Sequence, residues 1–175
     1  MRKCVFFDRD GIVNYPPGPG YVERWQDFKI IPEFVDVFRM FAGKGYDAVV
    51  VTNQRGVARG VMSLQALNEI HAYMIKTLAA EHGMAFLDVM CCTHDRDECE
   101  CRKPKPGMLL NAAGKHGIDL SLSWMIGDNE KDVEAGRRAG CRTVLVSDKP
   151  GETSADHKVP DMQALKTLVA SLLGI

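Results

Sequence analysis

The chain has 175 residues, 46% of them hydrophobic and 26% charged, with a formal net charge of −1; this is an ordinary globular balance, with room for one sizeable core rather than two. A near-neutral chain carries no global field to gather nucleic acid or an anionic membrane, so any anionic ligand must be met by local positive charge. No apolar run approaches the roughly 18 residues of a membrane span and no signal-peptide pattern opens the chain, so a cytoplasmic monomer without nucleic-acid or membrane partners is expected.

The first element is an apolar strand over residues 3–8, with Asp8 and Asp10 where it must end. Residues two apart on a strand share a face, so both acids can address one point. Two carboxylates so placed call for a cation to relieve their repulsion. A Gly- and Pro-rich loop over 11–27 follows, then a helix over 33–42 that begins after Pro32 and stops at Gly43 and Gly45. A second strand is predicted over 46–52. Ser63, a good N-cap, opens a helix over 63–82 with apolar residues at near-helical spacing. Further strands are expected at 86–91, 123–127 and 142–146, helices at 106–116, 129–139 and 161–173, and a second irregular stretch at 147–160. Strand and helix alternating in this way define an α/β, Rossmann-like, doubly wound and mostly parallel sheet of five strands, in one domain spanning residues 1–175. In such a sheet ligands bind outside the carboxyl ends of the strands.

Each strand end carries chemistry. The first ends in Asp8 and Asp10, the second in Thr52-Asn53-Gln54-Arg55-Gly56, and the third runs through Cys92 into a loop leading to Arg102-Lys103-Pro104. The fourth ends in Gly127-Asp128, with Asp132 following. A nucleophile-grade carboxylate, a hydroxyl, a lysine and further acids are what phosphoryl transfer needs: a metal to neutralise charge and donors around the equatorial oxygens. Taken singly, each has a plainer reading: a turn after a strand uses Asp and Gly for backbone reasons, and a lone lysine is usually solvated.

The ordered set resembles the haloacid dehalogenase-like phosphatases, whose pattern is Asp-x-Asp-Gly, then Ser or Thr, then Lys, then Gly-Asp-x-x-x-Asp. That resemblance implies Asp8 as nucleophile, Asp10 as general acid and base, and Thr52 and Lys103 as stabilisers of the phosphoryl group. It also implies Mg²⁺ on Asp8, the Asp10 backbone carbonyl and Asp128, with Asp132 orienting Lys103 or its loop.

Four of the six cysteines lie within residues 91–101, and in a reducing compartment they read as ligands before disulfides. Cys92, His94, Cys99 and Cys101 supply the Cys₃His complement of a closed structural zinc site. The residues between, 95–98, are all charged and cannot order themselves on apolar contacts, so zinc would fix where Arg102 and Lys103 begin. The alternative is a set of reduced, unmetallated thiols. Strand alternation is expected to point Cys91 into the fold and Cys92 toward the loop, which leaves Cys91 out of the site. Cys4 and Cys141 are expected in the core.

The spacing leaves no room for a large cap domain, so loops 11–27, 54–62 and 92–102 must choose the substrate. With the zinc loop, the run Cys101-Arg102-Lys103-Pro104-Lys105-Pro106-Gly107-Met108 and the segment Gly56-Val57-Ala58-Arg59-Gly60 look like the D-glycero-D-manno-heptose 1,7-bisphosphate phosphatase family, sister to the histidinol-phosphate phosphatases. The resemblance implies removal of the 7-phosphate from a phosphorylated sugar, with histidinol phosphate as the alternative substrate. Asn53, Gln54, Arg55, Arg59, Arg102 and Asn129 are the expected substrate contacts. Arg55, Arg59 and Arg102 are the cations available to a second phosphate. The chain departs from the family pattern at Ile12, Arg55 and Asn129, the last standing where lysine is common. Two other readings are a non-catalytic phosphosugar-binding protein and a nucleic-acid end-processing enzyme; the absence of a basic stripe or aromatic platform disfavours the latter.

Overall fold

The structure is a computed structural model and describes residues 2–96 and 99–175. Six strands are present among the described residues: β1 (Cys4–Phe7), β2 (Asp47–Asn53), β3 (Asp88–Cys92), β4 (Trp124–Gly127), β5 (Arg142–Val146) and β6 (His157–Val159). They are joined through α1 (Pro32–Gly43), α2 (Leu64–His82), α3 (Gly107–His116), α4 (Glu130–Ala139) and α5 (Met162–Leu173). The sheet order is β3-β2-β1-β4-β5-β6 and every strand pairing is parallel.

The sixth strand corrects the expected count of five. Its three residues, His157-Lys158-Val159, are too short and polar to announce a strand. Pairing is imposed from outside: Asp156 accepts hydrogen bonds from the Thr143 backbone N–H (2.7 Å) and hydroxyl (2.9 Å), drawing the chain back beside β5. Val144–Val146 then take up His157–Val159 in register.

Period-two alternation divides the sheet's side chains between two cores. Val5, Phe7, Val50, Trp124 and Ile126 face α1, α2 and α5, where Phe34, Phe38 and Phe41 pack around Phe7. Cys4, Phe6, Val49, Val51 and Met125 face α3 and α4. Burial near zero along β1 and most of β2 and β4 accounts for their continuous apolar runs. Helix ends follow local chemistry: the Ser63 hydroxyl accepts from the Ala66 N–H at 3.0 Å, and Gly83 closes α2 in the left-handed conformation. Among the described residues no helix is long and apolar enough to cross a membrane.

The winding order reverses at β1, whose neighbours are β2 on one side and β4 on the other. A crevice opens there, beyond the carboxyl ends of β1 and β4. Asp8 follows β1 and Asp128 follows β4, so the reversal brings these two acids together.

Candidate active site

Lys103 is the hub. Its ammonium is almost fully buried and donates to Asp8 Oδ1 at 2.7 Å and to the Val51 carbonyl at 2.7 Å, and its Nζ lies 2.6 Å from Asp132 Oδ1. A buried ammonium survives only with such partners, and the two carboxylates raise its pKa against the opposing effect of burial. Its backbone is clamped as well. The Asn53 amide donates to the Lys103 carbonyl at 3.0 Å and accepts from the Lys103 N–H at 3.1 Å, tying the end of β2 to the returning loop.

Asp132 does two jobs from the first turn of α4. One oxygen meets Lys103; the other accepts from the Asn129 N–H at 3.1 Å, forming a capping box with Asn129. The turn into α4 is tight: a Cβ on Gly127 would stand 2.2 Å from that of Asp132.

Asp8, Asp128 and Asp132 each offer a carboxylate oxygen within 4.8 Å of the others. Burial, Asp132 and Asp128 push Asp8 up to about 8 against the pull of Lys103. Asp128 opens to solvent at the rim, yet desolvation and Asp132 raise it to about 6. Three acids around one lysine leave excess negative charge that a cation would relieve. Both oxygens of Asp132 are already used, so Asp8 and Asp128 are the acids free to hold one. The approach is shaped for it: Gly11 has φ +94°, and a Cβ there would lie 2.2 Å from Asp128 Oδ2.

Asp10 differs from the expected geometry. Strand β1 stops at Phe7 and the chain turns, so alternation no longer governs Asp10. Its carboxylate is absent from the cluster of Asp8, Asp128 and Asp132. It accepts instead from Arg9 (3.0 and 3.1 Å), Asn14 (2.9 Å) and Gln54 (2.9 Å), while still lining the same cavity. Arg9, which sequence reasoning passed over, is fully buried, meets His71 Nε2 at 3.2 Å and lies over the Phe28 ring. Burial, with the Arg9 charge beside it, lowers His71 to about 4, so the ring is neutral.

The cavity measures about 300 Å³. Its walls include Asp8, Asp10, Thr52, Asn53, Arg102, Lys103, Asp128 and Asn129, together with Lys131, Tyr21 and Pro16–Gly18 of the first loop. Thr52 is buried, and its Oγ1 accepts from Gln54 Nε2 at 2.9 Å, which leaves the hydroxyl hydrogen to point elsewhere. Gln54 itself is buried behind Thr52 and Asp10 and does not line the cavity. Nor do Arg55 and Arg59, which pair with Asp95 at 3.4 and 3.7 Å. Asn129 reaches the wall while its side chain accepts from the Lys131 N–H.

Cys92, His94, Cys99 and Cys101 converge beside this site, with ligand atoms within 4.8 Å of one another. The sulfurs stand 3.0–3.5 Å apart and His94 Nδ1 lies 3.6 and 3.3 Å from Cys92 and Cys101. Edges of this size approach those of a tetrahedron with metal–sulfur bonds of about 2.3 Å. Cys91 stands outside the set: β3 extends to Cys92, which is fully buried with its Sγ against His94, Cys99 and Cys101 of the loop, while Cys91 is half-buried. Cys4 and Cys141 are buried. Of the charged stretch 95–98, Asp97 and Glu98 lie outside the described residues.

A parallel wound sheet with Asp8, Thr52, Lys103 and Asp128 at its switch point defines the class of the haloacid dehalogenase-like hydrolases. A family profile described as HAD-hydrolase-like matches residues 100–173. The chain is 38% identical to a D-glycero-beta-D-manno-heptose-1,7-bisphosphate 7-phosphatase from Pseudomonas putida over 91% of its length and 90% of the relative's. It is 35% identical to the protein of the same name from Pasteurella multocida, covering 98% and 99% of the two chains. The crystal structure of D,D-heptose 1,7-bisphosphate phosphatase from B. bronchiseptica, complexed with magnesium and phosphate, matches with a TM-score of 0.85 at 28% identity over 97% of this chain and 99% of that one. The chain belongs to the D-glycero-beta-D-manno-heptose-1,7-bisphosphate 7-phosphatase family.

Proposed function

We propose that this protein is a Mg²⁺-dependent phosphoric monoester hydrolase that removes the 7-phosphate of D-glycero-D-manno-heptose 1,7-bisphosphate. The observation that carries the chemistry is the buried Asp8–Lys103–Asp132 relay opening on the same cavity as Thr52, Asp10 and Asp128. The relatives named above support the substrate, and they favour it over histidinol phosphate.

Asp8 attacks phosphorus, the bond from phosphorus to the sugar oxygen breaks, and an aspartyl-phosphate forms. Asp10 gives a proton to the departing oxygen; water then attacks phosphorus and returns a proton to Asp10. The Lys103 ammonium holds Asp8 in place and neutralises charge on the phosphoryl oxygens, and the Thr52 hydroxyl donates to one of them. Asp8, Asp128 and the Asp10 carbonyl would hold Mg²⁺, which supplies further charge neutralisation when bound. Zinc on Cys92, His94, Cys99 and Cys101 would be structural, since four protein ligands leave no open position. The setting proposed is the cytoplasm, where those thiols stay reduced.

Steady-state kinetics on both substrates test the reading. A higher kcat/KM for heptose 1,7-bisphosphate is expected; faster turnover of histidinol phosphate would overturn the assignment. Binding of phosphosugar without hydrolysis in saturating Mg²⁺ would favour the non-catalytic reading.

A further inference from the structure

Asp10 lies in the turn after β1, where the strand no longer fixes the direction of its side chain. The Arg9 carbonyl closes that turn by accepting from the Val13 N–H at 2.8 Å, and the Arg9 guanidinium doubles back on its neighbour. Nη2 meets the two Asp10 oxygens at 3.0 and 3.1 Å, and Nε donates to Oδ1 at 3.3 Å. Asn14 and Gln54 supply the other donors, each at 2.9 Å. With its oxygens held in this way, the Asp10 side chain is 25% exposed and lines the catalytic cavity.

A guanidinium fork fixes a carboxylate only as firmly as it is itself fixed. Arg9 is fully buried, with its central carbon over the Phe28 ring at 5.9 Å. Its remaining limb, Nη1, meets His71 Nε2 at 3.2 Å, and no other acceptor meets that nitrogen among the described residues. A guanidinium only donates, so Nε2 accepts and the ring proton sits on Nδ1. The ring is carried by a firm support, since α2 is capped at Ser63 and buries Ile70 and Met74 on either side of His71 in the core. Without this acceptor Nη1 would be a buried donor left unpaired, and turning the guanidinium to satisfy it would pull the fork from Asp10.

We infer that His71 is a positioning residue for Asp10, acting through the Arg9 guanidinium. The inference rests on the proposed function and deepens it. Asp10 gives its proton to the sugar oxygen as the bond from that oxygen to phosphorus breaks, and a displaced carboxyl delivers it poorly. The demand depends on the leaving group: a sugar alkoxide needs the proton as it departs, whereas nitrophenolate leaves without one.

Two variants separate this role from a structural one. His71→Leu removes the acceptor with a good helix former, and His71→Gln keeps an acceptor oxygen near the place of Nε2. Single-turnover rates in saturating Mg²⁺, on heptose 1,7-bisphosphate and on p-nitrophenyl phosphate, read ester cleavage alone. In His71→Leu the rate on the sugar phosphate should fall about tenfold relative to that on the nitrophenyl ester, and His71→Gln should bring the ratio back to within about twofold of wild type. An unchanged ratio in His71→Leu, an equal fall on both esters, or a ratio in His71→Gln as low as in His71→Leu would overturn the inference. Failure of the functional reading shows separately, as wild-type protein that does not cleave heptose bisphosphate. Histidinol phosphate, also an alkyl ester, then supplies the comparison, and inactivity on every ester would overturn both.

Discussion

Replacing Asp132 by asparagine tests how far the site depends on one buried carboxylate. Both oxygens of Asp132 are acceptors, one facing Lys103 Nζ at 2.6 Å and the other accepting from the Asn129 N–H at 3.1 Å. Asparagine has a single acceptor oxygen, so whichever way its amide turns, an NH₂ group faces a donor. Removing one partner of a buried ion pair costs about 3–5 kcal/mol, and losing a helix cap about 1 kcal/mol. Lys103 keeps Asp8 at 2.7 Å and the Val51 carbonyl, which places the total near the lower end, at about 3 kcal/mol. For a chain of this size that is a fall in Tm of roughly 6–12 °C. Saturating Mg²⁺ should be present throughout, so that relief of repulsion with Asp8 and Asp128 does not mask the loss. With Lys103 no longer centred, kcat should fall roughly 100-fold. Calorimetry and a phosphate-release assay read the two effects. A Tm within about 1 °C of wild type, with kcat unchanged, would refute the relay.

Two further outcomes follow from the same geometry. Metal analysis of reduced protein should find about one zinc per chain, and its removal should lower Tm and impair turnover by releasing the loop that ends at Lys103; zinc-free protein with full stability and activity would contradict the Cys₃His assignment. Burial raises Asp88, but hydrogen bonds from His116 (2.7 Å), Lys115 (2.8 Å) and the Val89 N–H outweigh it and leave the carboxyl below its ordinary value. Its contribution is therefore complete above the unfolded pKa of about 3.9 and is lost as pH falls through the folded one. Urea denaturation should show stability dropping below about pH 4, less steeply in Asp88→Asn; an identical acid slope in the variant would remove Asp88 from the account.

The apolar runs made β1, β2 and β4 legible in the sequence because these strands are buried on both faces, and Ser63, Gly83 and Gly117 mark helix boundaries by local chemistry alone. The sixth strand was hidden because its pairing depends on Asp156 reaching Thr143, a contact across 13 residues. Alternation separates Cys91 from Cys92, but the full burial of Cys92 comes from the core on the α3 and α4 side of the sheet, which only tertiary packing supplies. Residues meeting at a switch point could be grouped from their positions at strand ends. What their side chains touch could not. Gln54, Arg55 and Arg59 share a loop beside Thr52, yet one supports Asp10 from behind and the others turn to Asp95. Arg9 and Lys131 were missed because a lone cation carries no pattern, and only tertiary packing shows one to be buried against Asp10 and the other to wall the cavity.

The central claim is that Asp8 carries the phosphoryl group. Rapid acid quench of the wild-type enzyme with substrate labelled in the 7-phosphate, followed by peptide mass spectrometry, tests it most directly. The account predicts a transient acyl phosphate on the peptide bearing Asp8, absent from Asp8→Asn, which should retain its fold and lose turnover. Label on another residue, or sustained turnover by Asp8→Asn, would contradict it.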